Sequence, residues 1–87
     1  MHEATQNALF TFETPRQALV AEAVLRRALI HYQEVPPPSG AESGCGVALR
    51  IALDAQYEAI GALATEDADW QAVYQLGEEQ EVIAKLG

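Results

Sequence analysis

Apolar residues in this chain switch from a two-residue period to the helical period and back, twice over, and that alternation leaves few folds open. Leu9-Phe10-Thr11-Phe12 is short, aromatic and alternating, which predicts a first strand. Thr14-Pro15 follows: threonine caps a helix well, and proline is preorganised for its first position. Ala18, Ala21, Val24, Leu25 and Ala28 then recur at helical spacing, predicting a helix over 15–29. Glu22 and Arg26 sit four apart on its outer side.

Ile30 to Val35 is β-rich and predicts a second strand, which Pro36-Pro37-Pro38 must stop because proline donates nothing to a ladder. Ser39 to Gly46 reads as a loop. Val47 to Leu53 predicts a third strand, with Val47, Leu49, Ile51 and Leu53 on one face and Ala48, Arg50 and Ala52 on the other. Asp54 is the expected cap of a second helix carrying Tyr57, Ile60, Leu63 and Ala64 as its apolar stripe. A charged turn at Glu66-Asp67-Ala68-Asp69 leads to a fourth alternating segment, Trp70 to Leu76, closed by Gly77.

The order β-α-β-loop-β-α-β predicts an α+β fold, a ferredoxin-like βαββαβ sandwich with two helices on one face of a four-stranded antiparallel sheet. The domain is expected over 8–77, after a frayed N-terminus at 1–7 and before an acidic tail or short helix at 78–87. The other sheet face would carry Thr11, Arg50 and Gln71 among small and apolar residues. Left open, it is the expected place for homodimer pairing.

Charge narrows the partners. Five basic residues against thirteen acidic ones give a net charge of −8. That field repels phosphate backbones and anionic lipid, so neither nucleic acid nor membrane is an expected partner. No apolar run approaches the ~18 residues that span a bilayer, and no secretory signal is visible. A single cysteine forms no internal disulfide, which suits a reducing cytoplasm.

The one chemically distinctive side chain is Cys45, in Ser43-Gly44-Cys45-Gly46 at the entry to the third strand. Glycine neighbours remove side-chain cover and permit tight-turn geometry. Successive amides in such a turn can form a nest that holds an anion, and the thiolate is the reactive form of cysteine. The opposing reading is a small buried hydrophobe with no chemistry at all. Glu42 opposes a thiolate, and Arg50 is the only candidate charge partner close in the chain. His2 and His31 have no metal-ligand spacing with Cys45, so neither metal nor cofactor is expected. No general base or electrophile accompanies the cysteine, and an enzyme in its own right is not expected.

Phe10-Thr11-Phe12-Glu13-Thr14, the Ala18/Glu22/Leu25 helix, Val35-Pro36-Pro37-Pro38 and Ser43-Gly44-Cys45-Gly46-Val47-Ala48-Leu49-Arg50 together resemble a family of small bacterial selenium/sulfur carrier-like domains. The resemblance covers about residues 8–76. It implies that Cys45 holds a persulfide or selenium adduct, taken from a donor protein and passed to an acceptor. Members usually carry an arginine after the second loop proline, where this chain has Ser39 after Pro38. The alternative functions are an interaction or regulatory module in which Cys45 is structural, and a redox sensor acting through that thiol.

Overall fold

The computed structural model describes residues 6–87. Most of the segment read as frayed, residues 1–5 with His2, lies outside the described residues; Asn7 already opens the first strand. The elements are β1 (Asn7–Thr11), α1 (Pro15–Arg27), β2 (Gln33–Val35), β3 (Ala48–Ala52), α2 (Gln56–Thr65), β4 (Ala72–Leu76) and β5 (Val82–Lys85). They form an α+β domain with one five-stranded sheet, ordered β2-β3-β1-β4-β5, every neighbouring pair antiparallel.

The four-strand expectation is therefore corrected. The segment 78–87, read as a tail or short helix, turns at Glu78–Gln80 and returns as β5 along β4. The turn closes through the Gly77 amide on the Glu81 carbonyl at 2.8 Å and the Gln80 amide on the Gly77 carbonyl at 3.0 Å. Acidic residues hid a short β-branched run that is stable only because β4 offers it a free edge.

Both helices pack on one face of the sheet. Ala8, Phe10 and Phe12 from the first strand segment, Leu49 and Ile51 from β3, and Val73 from β4 bury against Ala18, Ala21, Val24 and Leu25 of α1 and Ala59 and Leu63 of α2. Trp70 precedes β4 rather than joining it and meets Phe10 edge to face, with ring centroids 6.2 Å apart. The stripe expected on α2 is rotated. Ala59 and Leu63 are its buried residues, while Tyr57 is 79 % exposed and Ala64 also faces solvent. Asp54 makes no capping bond but lies in a 3₁₀ turn, Leu53–Ala55, that delays the helix and shifts its phase.

α1 starts as expected. Thr14 is extended at φ −135°, its hydroxyl accepts the Gln17 amide at 3.2 Å, and Pro15 follows. Both helices end in the same way. The Ile30 amide reaches back to the Leu25 carbonyl at 2.9 Å and that of Ala68 to Leu63 at 2.9 Å, closing Schellman motifs. The left-handed positions of these motifs are filled by Leu29 (φ 61°) and Asp67 (φ 57°) rather than by glycine. This is why the second strand begins only at Gln33: Ile30 is buried as the hydrophobic contact of the cap.

The second face is not open. Leu9, Ala48, Ala72, Tyr74 and Leu76 form a smaller buried cluster there, with Val35, Ala41 and Val82 against it, and Thr11 is buried too. Alternation along β4 thus sends Val73, not Tyr74, to the helices. The 36–46 loop covers one end of this face: the Glu42 amide donates to Tyr74 Oη at 2.9 Å, and Gly40 approaches Val82. Gln80 covers the other end, accepting from Asn7 Nδ2 at 3.3 Å and Arg50 Nη1 at 3.0 Å. The face expected to pair with a second copy is closed by the chain's own loop. No helix among the described residues is long and apolar enough to cross a membrane.

Leu29 is 88 % exposed and contributes little burial to offset its left-handed backbone. Replacing it with glycine is expected to stabilise the domain by about 1 kcal/mol, a rise of roughly 4–8 °C in melting temperature by calorimetry or circular dichroism.

Candidate functional site

The Cys45 loop is fastened to the end of β1. Phe12 buries its side chain in the main core and turns its carbonyl toward the loop. That oxygen accepts the amides of Gly44 at 3.0 Å and Cys45 at 3.2 Å. Gln71, just before β4, adds a tether: its amide donates to the Thr11 carbonyl at 2.7 Å, and its Oε1 accepts from the Gly44 amide at 2.9 Å. Ser43 Oγ donates to the Cys45 carbonyl at 2.6 Å, closing the turn around the cysteine.

Only one of the two flanking glycines is required to be glycine by its surroundings. A Cβ on Gly44 would lie 2.6 Å from the Glu13 carbonyl oxygen and 2.8 Å from its Cα, so the loop backbone presses directly on the strand exit. A Cβ on Gly46 would meet nothing within 4 Å. Neither glycine takes the left-handed conformation; Gly40, earlier in the loop, does at φ 91°. The expected nest is corrected accordingly. The amides of Gly44 and Cys45 converge on a carbonyl of the protein itself and are not presented to an outside anion.

The sulfur is partly accessible. Cys45 is the only cysteine, is neither buried nor fully exposed, and packs its inner side against the main core. Its Sγ donates to the Val47 carbonyl at 3.4 Å. Glu13, Glu42 and Asp69 are exposed on the segments around the loop, and Arg16 lies exposed on the first turn of α1. Arg50 is turned elsewhere: its guanidinium donates to Gln33 Oε1 and Gln80 Oε1, toward the Asn7 end of β1.

The fold thus brings Ser43, Gly44, Cys45 and Gly46 together in one clamped turn and leaves Arg50 out of it. Phe12, Gln71 and Tyr74 hold the loop, and sequence reading missed all three in that role. Their contacts span 27 to 33 positions along the chain, which no local spacing reveals.

The contrast between the glycines gives a test. Gly44→Ala is expected to destabilise the domain by about 1–3 kcal/mol, because backbone must move to admit the methyl. Gly46→Ala is expected to stay within about 0.5 kcal/mol of wild type or slightly above it, as read by urea unfolding.

A family model described as "Putative Se/S carrier protein-like" matches residues 7–75, from the start of β1 to the last but one residue of β4. No curated protein and no solved structure matches the chain. With both helices, the 36–46 loop, three strands and all but the last residue of β4 inside the matched stretch, the chain belongs to this Se/S carrier protein-like family.

Proposed function

We propose that this domain is a non-enzymatic carrier that holds sulfur or selenium on Cys45 and hands it to a partner protein. The observation that carries the reading is a half-buried thiol on a clamped loop, next to a glycine whose own Cβ position is unobstructed, in a chain of the Se/S carrier-like family. The clamp matters because transfer between two proteins requires the accepting sulfur at a reproducible place. The small neighbour Gly46 matters because the incoming group is itself a protein side chain.

In the sulfur reaction, the Cys45 thiolate attacks the outer sulfur of a donor persulfide. A new S–S bond forms on Cys45, the donor's own S–S bond breaks, and the donor cysteine leaves as a thiolate. Cys45 gives up its proton before attack, and the released donor thiolate takes one up afterwards. No net oxidant is consumed. Delivery is the same exchange with an acceptor thiolate. Donor and acceptor proteins are then the partners, and neither metal nor cofactor takes part.

A second reading has one observation in its favour: Cys45 packs against the main core, and its sulfur bonds to Val47 of its own chain. On that reading the thiol is structural, and the domain is an interaction module.

Intact-mass measurement after incubation with a cysteine desulfurase and free cysteine separates the two. The carrier reading expects wild type to gain the mass of one sulfur atom, reversibly lost to dithiothreitol, and Cys45→Ser to gain none. Equal gain in both proteins removes Cys45 as the acceptor. No gain in wild type, with the thiol inert to iodoacetamide until unfolding, favours the structural reading.

A further inference from the structure

We propose that the cavity at the Asn7 end of the second sheet face is a binding site for a small oxyanion, with the Arg50 guanidinium as its anchor. The cavity has a volume of about 230 Å³ and is lined by Asn7, His31, Tyr32, Gln33, Arg50 and Ala52. Strand register explains how these residues meet. Asn7 stands opposite Ala52 and Gln33 opposite Arg50, so β1, β2 and β3 send these side chains to one face of the sheet.

Arg50 differs from the other basic residues. Of the five, Arg16, Arg26, Arg27 and Lys85 are exposed, and only Arg50 is half-buried. Arg26 and Arg27 each pair with a carboxylate, Glu22 and Glu66. Arg50 meets no carboxylate among the described residues. Its Nη1 donates to Gln80 Oε1 at 3.0 Å and its Nη2 to Gln33 Oε1, both neutral amide oxygens. A guanidinium carries five N–H donors, so three remain and the positive charge is left without a counter-charge. Hydrogen bonds to an ionised oxygen are roughly twice as strong as those to a neutral one. An oxyanion therefore displaces the amide oxygen of exposed Gln33 with a net gain, and Gln33 acts as a placeholder for it.

The surroundings add donors and keep carboxylates away. Asn7 gives one amide hydrogen to Gln80 Oε1 at 3.3 Å and has another to offer. The His31 imidazole brings an N–H whether neutral or charged. No carboxylate lines the cavity. Glu34 pairs with Leu49 and projects with it to the helix face, away from Gln33 and Arg50. Glu22 accepts from Tyr32 Oη at 3.0 Å and is paired with Arg26 at 3.6 Å. The net charge of −8 sets the size of the ligand. A long polyanion meets that whole field, whereas salt screens exposed charges beyond about 8 Å, so a small ion responds to the donors beside it.

NMR titration of the isotope-labelled full chain with inorganic phosphate, at an ionic strength held constant with sodium chloride, tests this. Saturable shifts are expected at the Arg50 side-chain Nε–H and at the Asn7 and Gln33 amides. Arg50→Gln is expected to abolish them, and Arg50→Lys to weaken binding roughly tenfold because a single ammonium does not reproduce the guanidinium fork. Gln33→Ala removes a competitor from an exposed position and is expected to bind phosphate at least as tightly as wild type. Thermal melts supply an independent readout: phosphate is expected to raise the melting temperature of wild type and not that of Arg50→Gln. Shifts that grow without saturating, or equal affinity in wild type and Arg50→Lys, overturn the proposal. Loss of binding in Gln33→Ala overturns it equally, whether or not Arg50→Gln folds.

Discussion

The Phe12 carbonyl is the point on which the rest of the site depends. Its ring is fully buried with Phe10, Leu25 and Leu63, so burial of the core holds that oxygen in place. The amides of Gly44 and Cys45 both attach to it, and the Gly44 backbone rests on Glu13 next to it. Burial of a phenylalanine stabilises by roughly 1.5–3 kcal/mol, against about 1 kcal/mol net for each hydrogen bond. The anchor is therefore firmer than the tether. Opening the loop exposes its amides to water for a few kcal/mol, while moving the anchor means disrupting the main core. The loop belongs to the lower-stability part of the molecule, although the backbone to which it returns does not.

That hierarchy suits a carrier. In the proposed carrier role the cysteine would need a fixed resting position and an approach for another protein's sulfur, and the two neighbouring glycines differ in what they offer. Gly44 permits close contact with Glu13, and the Cβ position of Gly46 is unobstructed. The loop has a second structural duty, since Ala41 and Glu42 close over Tyr74 and the smaller cluster. The sheet edges are blunted as well. β2 is short and ends in prolines, and β5 carries a register irregularity beside β4 and an exposed lysine.

Much of the frame was legible in local residues. Thr14-Pro15 marks the start of α1 because both effects act within one turn, and Val47 to Leu53 alternates because β3 lies between two layers. The errors cluster where tertiary contact overrides local preference. Asp54 looked like a cap but lies in a 3₁₀ turn, and the α2 stripe is rotated with it. Ile30 looked like a strand residue but is the buried end of a Schellman motif whose left-handed position is an unremarkable leucine in sequence. β5 has strand residues but too few to stand alone, so only the free edge of β4 reveals it.

Sequence by itself determined the two helices, four of the five strands, the place of the loop and the single thiol, because these follow from period, capping and cysteine count over a few neighbouring residues. The tertiary structure alone decided that the loop amides bind Phe12 rather than an outside anion, that Gln71 and Tyr74 hold the loop, that Arg50 points away, and that the second sheet face is closed. Each of these depends on groups far apart in the chain competing for the same donor, acceptor or apolar surface. Only the complete packing settles which of them meet.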